Sequence, residues 1–221
     1  MKWSIPNTLT VLRLLAAPGV PLMFLYFQRP WADWFALTLF VGAAITDWFD
    51  GYLARLWKQE SKFGTMLDPI ADKAMVVIAI LVLTGYSGMN PWLILPATVI
   101  LFREVFVSGL REFLGAKAGL LKVTKLAKWK TTAQMVAIAV LFLGTGLEYL
   151  NGVAMHGMTP EQYTDAVMQG LADPIRACGK RDCASVAGDA GLVLMWIAAL
   201  LTAMTGLDYF RKALPFLRED K

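Results

Sequence analysis

Apolar stretches of bilayer-crossing length recur along this 221-residue chain, and the second of them runs into acid. Lipid cannot hydrogen-bond a peptide group, so a chain living there must satisfy its backbone internally, as helices or as a closed barrel. Read against the roughly 17–25 residues a spanning helix needs, the apolar runs give about six candidate spans. They are 11–28, 31–54, 69–88, 91–113, 131–148 and 190–207. At 57% hydrophobic and 17% charged, with a mean hydropathy of +0.53, the chain is too apolar for a soluble domain, where charged residues run at about 25%. The expected fold class is an all-α integral membrane protein, one transmembrane domain over 1–221 with an exported loop at about 148–189. The first apolar run lacks a small-residue cleavage pattern and continues through Pro21, so it reads as a retained span.

Orientation follows from the basic residues. With both termini cytoplasmic, all but Arg29, Arg176, Lys180 and Arg181 of the 21 lysines and arginines lie inside, as the positive-inside rule favours. The net charge of +4 is mild, and its one-sided clustering reads as topology and attraction to anionic membrane lipids. No nucleic acid partner is expected. The 148–189 stretch is polar and holds both cysteines, Cys178 and Cys183, for which an exported location permits a disulfide. A zinc site is disfavoured, because His156 is the single histidine and two further ligands are missing.

The second span is apolar only as far as Thr46, then meets Asp47 and Asp50; the third opens with Asp68 and Asp72. Residues three and four apart share a helix face, so each aspartate pair points together. The polar stretch between Arg55 and Gly64 makes a cytosolic hairpin that brings the pairs to one another. Ionisable groups at this depth persist where an ion or partner compensates them, and four carboxylates in one low-dielectric pocket would protonate without cations. Hard oxygen ligands select magnesium, manganese or calcium. A pair of magnesium-like ions suits an in-line displacement at phosphorus, so the expected substrate is a phosphate ester or anhydride.

Other residues carry two readings. Asp68-Pro69 also has the form of a helix start. Asn7 and Thr10 read as helix caps or as phosphate and nucleotide contacts. Gly51, Ala54 and Gly64 permit close helix packing or close approach of a ligand. Arg55 reads as a phosphate ligand through its planar fork or as one more inside charge. Glu104 reads as a structural ion-pair partner beside Arg103. Arg103 and Arg111, eight residues apart on one face, together with Lys130 form the expected grip on an anionic acceptor.

From Asp47 to Asp72 the chain fits D-x2-D-G-x2-A-R-x8-G-x3-D-x3-D without a gap, and so resembles the CDP-alcohol phosphatidyltransferase family. The likeness extends to the six-span plan with the signature across the second and third helices. Within that family, Ile5 to Thr10 with Arg13, the Thr46–Gly51 run, the Arg103-Glu104 and Arg111-Glu112 arrangement and Lys128–Met135 resemble bacterial members that use glycerol 3-phosphate. The long exported loop is atypical of them. The resemblance implies a catalytic domain in the bacterial inner membrane that takes CDP-diacylglycerol as donor and sn-glycerol 3-phosphate as acceptor, and a homodimer. It implies that Asp47, Asp50 and Asp68 hold metal, Mg2+ or Mn2+, that Asp72 is a ligand or the catalytic base, and that Gly51, Arg55 and Thr65 meet the nucleotide. Competing expectations are a sibling with another acceptor (serine, inositol phosphate or phosphatidylglycerol) and a divalent-cation transporter.

Overall fold

The computed structural model describes residues 5–28, 31–57, 62–88, 90–115, 125–154 and 180–217, with side chains except at 5–6, 48–57, 62, 125–128, 148–154, 180–185 and 217. The described residues form six helices and no strand: α1 Ile5–Tyr26, α2 Trp31–Trp57, α3 Lys62–Tyr86, α4 Pro91–Leu114, α5 Lys125–Ala154 and α6 Lys180–Leu217. Four contain segments long and apolar enough to cross a membrane: Asn7–Tyr26, Pro91–Leu114, Trp129–Leu147 and Val186–Phe216. The other two, α2 and α3, carry the aspartates. The protein is thus an all-α integral membrane protein.

Two boundaries differ from the sequence expectation. The helix α3 begins at Lys62 and runs through Pro69, so Asp68 lies inside the helix rather than at its cap. Proline forgoes one backbone bond there, and the turns on either side hold the helix. Helix also occupies both ends of the stretch expected as exported loop, because α5 continues to Ala154 and α6 starts at Lys180. Residues 155–179 between them, Cys178 included, lie outside the description, as does the side chain of Cys183.

The chain divides into two compact units. The first comprises Met1–Ala79 with Ala139–Gly191, the second Ile80–Ile138 with Leu192–Lys221. In the first, α1 and α2 run antiparallel and pack together, with Gly19 against Leu39 and Phe27 against Phe35 at 5.4 Å between ring centres. Phe142 of α5 lies 6.2 Å from the Phe24 ring and 5.9 Å from that of Phe40. A Cβ on Gly144 would stand 3.2 Å from the backbone nitrogen of Gly188, so glycine is what lets α5 and α6 approach here.

In the second unit Asn90 caps α4 by accepting the Trp92 N–H at 3.0 Å. Gly115, at φ 50°, ends the helix and returns its N–H to the carbonyls of Arg111 and Glu112; the left-handed conformation suits glycine. Val107, Leu114, Tyr209 and Ala213 form a small core between α4 and α6. Throughout, alanines such as Ala17, Ala36, Ala71 and Ala137 are fully buried while Leu25, Phe102 and Val105 are about 70% or more exposed. That pattern fits helices packed by small residues and wetted by lipid.

Candidate active site

In the first unit, three helices contribute to an acidic cluster. Thr10 and Arg13 lie one turn apart on α1, Asp47 on α2, and Asp68 and Asp72 one turn apart on α3. Arg13 is 3% exposed, and one guanidinium nitrogen, Nη1, donates to Asp47 Oδ1 at 2.5 Å and to Asp72 Oδ1 at 3.1 Å. Thr10 Oγ1 donates to Asp68 Oδ1 at 2.8 Å. The helical spacing explains the match: residues 10 and 13 on α1 meet residues 68 and 72 on α3, each pair sharing a face. Oxygens of two of the four expected metal ligands, Asp47 and Asp72, therefore converge on a single cationic atom, and a third, Asp68, is tied to Thr10 one turn away on α1.

The fourth ligand, Asp50, and the expected nucleotide contacts Gly51 and Arg55 sit on the same helix α2, but their side chains lie outside the description. Asn7 is buried on α1 and Thr65 exposed on α3. Thr10, likewise expected at the nucleotide, is buried on α1 and donates to Asp68.

The donor set suits a hard divalent cation. Every acidic ligand supplies carboxylate oxygen, Arg13 already shows that Asp47 and Asp72 can serve one positive centre, and their side chains remain 41% and 38% exposed, open to an ion. One arginine cannot neutralise this many carboxylates. Among the described residues no three acidic, histidine or cysteine side chains are grouped closely enough to form a preassembled metal cage.

Beside the cluster, an open groove of about 530 Å³ runs between α1 and α2, from Thr46 and Arg13 past Leu12 and Leu39 to Met23 and Phe35. Arg13 and Thr46 line one end of it, and apolar side chains with Thr38 line the rest.

The second unit holds the inverse arrangement. Arg103 and Glu104 lie on α4, Lys130 on α5 and Thr205 on α6. Arg103 Nη1 donates to Glu104 Oε1 at 3.0 Å, and Lys130 Nζ donates to the same oxygen. The side chains of Lys130, Arg103 and Glu104 are only 8%, 13% and 15% exposed. Arg103 also reaches Thr205 Oγ1 at 3.5 Å and passes over Gly206, where a Cβ would come within 2.8 Å of its Cγ. Arg111, the third expected cation, is exposed and lies over the Tyr209 ring, 5.2 Å from its centre. The structure thus brings two of the three together and leaves the third at the rim.

Sequence reasoning missed Arg13 as a site residue by counting it as a topology charge. Its place within an apolar run was the available signal, since an ionisable residue there marks a functional partner by default. Glu104 was read as an ion-pair partner, but not as one shared by Arg103 and Lys130.

The comparisons with known proteins agree with this geometry. The sequence matches the family described as CDP-alcohol phosphatidyltransferase over residues 3–204. A Cereibacter sphaeroides protein named CDP-diacylglycerol–glycerol-3-phosphate 3-phosphatidyltransferase is 78% identical over 221 residues, covering 100% of both chains. A protein of the same name from Escherichia coli K12 is 43% identical over 143 residues, covering 64% of this chain and 78% of its own length. With the family match spanning residues 3–204 and the aspartate signature lying within it, the chain belongs to the CDP-alcohol phosphatidyltransferase family.

Proposed function

We infer that this protein is a phospholipid-synthesising enzyme that transfers the phosphatidyl group of CDP-diacylglycerol to sn-glycerol 3-phosphate, giving phosphatidylglycerophosphate and CMP. The observation that carries the reading is the convergence of Asp47 and Asp72 on Arg13, with Asp68 held one turn away by Thr10. The name borne by the full-length relative at 78% identity supports this donor and acceptor.

The roles follow from the residues. Asp47, Asp50, Asp68 and Asp72 would hold two magnesium or manganese ions, whose chemistry is to neutralise the attacking and leaving oxygens of a displacement at phosphorus. Arg13 keeps Asp47 and Asp72 aimed inward. Asp72 accepts the proton of the acceptor's primary hydroxyl, whose oxygen bonds to the phosphorus bearing diacylglycerol; the bond from that phosphorus to the CMP oxygen breaks, and CMP departs with the electron pair. General-base assistance of this kind contributes about 10²–10⁴ in rate. Gly51, Arg55, Thr65, Asn7 and Thr10 are assigned to the cytidine nucleotide, and the groove between α1 and α2 to an acyl chain of the donor.

Arg103 and Lys130 hold the acceptor phosphate, with Arg111 at the rim. Two cations against the single Glu104 leave this buried cluster positive, which suits a phosphate dianion. The distribution of lysine and arginine supports an inner-membrane protein with both termini and the aspartates on the cytoplasmic side, and family membership supports a homodimer.

The test is CMP release by the purified protein from CDP-diacylglycerol in mixed micelles, offered glycerol 3-phosphate, serine, inositol phosphate or phosphatidylglycerol in turn, with and without magnesium. Release only with glycerol 3-phosphate, and only with the metal, is expected. Release with serine and none with glycerol 3-phosphate would assign the chain to a sibling activity.

A further inference from the structure

The second unit buries several side-chain atoms that have no hydrogen-bond partner among the described residues: Arg103 Nε, Gln134 Nε2, Thr202 Oγ1 and Tyr209 Oη. Each hydroxyl leaves a single donor unmet, and Arg103 has other donors engaged by Glu104 and Thr205. Gln134 is different. It is 3% exposed, stands where the polar start of α5, Lys130-Thr131-Thr132, gives way to the apolar run from Met135, and carries amide donors that are costly to bury unmet. It also follows Lys130 by four residues, so the two share a helix face with Cβ atoms about 5–6 Å apart, and both lie on the buried side of α5.

We propose that Gln134 is a specificity-determining residue whose carboxamide N–H binds the secondary hydroxyl of a phosphorylated three-carbon polyol. This rests on the reading above, in which Lys130 and Arg103 hold the acceptor's phosphate. In glycerol 3-phosphate the C2 hydroxyl stands a few ångströms from phosphorus, comparable with the roughly 5.4 Å of one helical turn that separates Lys130 from Gln134. The phosphate is gripped by charge, the primary hydroxyl reacts, and Gln134 reads the hydroxyl that does neither. A site that hydrogen-bonds a substrate hydroxyl rejects analogues lacking it far more strongly than a hydrophobic pocket rejects a missing methylene.

The experiment compares two acceptors on the purified full-length protein in CDP-diacylglycerol micelles with magnesium. Glycerol 3-phosphate is one; 3-hydroxypropyl phosphate, which keeps the phosphate and primary hydroxyl but lacks the secondary one, is the other. Wild type is expected to favour glycerol 3-phosphate by at least about tenfold in kcat/KM, the effect of one hydrogen bond to a buried donor. Gln134→Leu should erase most of that preference by lowering kcat/KM for glycerol 3-phosphate, while the value for 3-hydroxypropyl phosphate changes less than about threefold. Should the leucine variant not accumulate in the membrane, the comparison is read on Gln134→Met. Equal losses for both acceptors, or a wild type that does not discriminate between them, overturn the proposal while leaving glycerol 3-phosphate as acceptor. A wild type that uses serine and ignores glycerol 3-phosphate removes the acceptor reading, and this proposal with it.

Discussion

The acidic cluster of the first unit and the cationic cluster of the second are built on one plan with the signs exchanged. In the first, carboxylates of Asp47 and Asp72 meet on a buried arginine; in the second, Arg103 and Lys130 meet on one glutamate oxygen. Among the described residues each keeps a surplus of its majority sign, and on the proposed function that surplus suits a metal ion at one and a phosphate at the other. They differ in wetness. Asp47 and Asp72 are about two-fifths exposed, whereas Lys130 is 8% exposed. An ion that exchanges with water needs an open site. Cations that must discriminate among acceptors gain from a dry one, where the same charge acts more strongly.

Substitutions on the two sides can break or sharpen this contrast. The largest effect is expected from Asp72→Asn, which keeps shape but removes the base and a carboxylate ligand. CMP release should fall by about 10²–10⁴ with the protein still in the membrane; near-normal turnover would remove Asp72 from the chemistry. Lys130→Met comes next. Losing one charge-assisted bond, worth about 1.5–3 kcal/mol, should raise the KM for glycerol 3-phosphate by about 10–150-fold and leave that for CDP-diacylglycerol unchanged. A rise in both would mean the second cluster is scaffolding.

Arg13→Met probes the first cluster through stability. Removing one partner of a fully buried ion pair costs about 3–5 kcal/mol; with carboxylates this exposed, about 1–3 kcal/mol is expected. Because the variant lacks its internal cation, magnesium should raise its Tm in detergent more than it raises the wild-type Tm, by linkage to binding in the folded state. Equal magnesium shifts would show that Arg13 and the metal do not answer to the same carboxylates. The smallest effect belongs to Arg111→Ala. An exposed cation over a ring contributes about 0.5–1 kcal/mol, so a change of roughly two- to fivefold in the KM for glycerol 3-phosphate is expected, and no change would strike Arg111 from the acceptor site.

How far the site could be read in advance depended on how local each relation is. The facing of Asp68 with Asp72 is a matter of helical spacing within one segment. Arg13 with Asp47 and with Asp72 spans 34 and 59 positions, and no spacing rule reaches that far. Gln134 illustrates the same limit: within its segment it is one more polar residue at the polar end of α5, and only packing reveals that its nitrogen is buried without a partner among the described residues.

By itself the sequence determined that this chain lies in lipid, that it does so as helices, and that two successive helices carry the four aspartates of the family signature. Those properties depend on composition and short-range periodicity, which the helix preserves. Tertiary structure alone decided which charges share a partner. It placed Arg13 among the aspartates, Glu104 between Lys130 and Arg103, and Arg111 at the surface. The reason is physical: a charge taken out of water is stabilised by whatever opposite charge packing delivers to within about 3 Å, and packing is a property of the assembled helices.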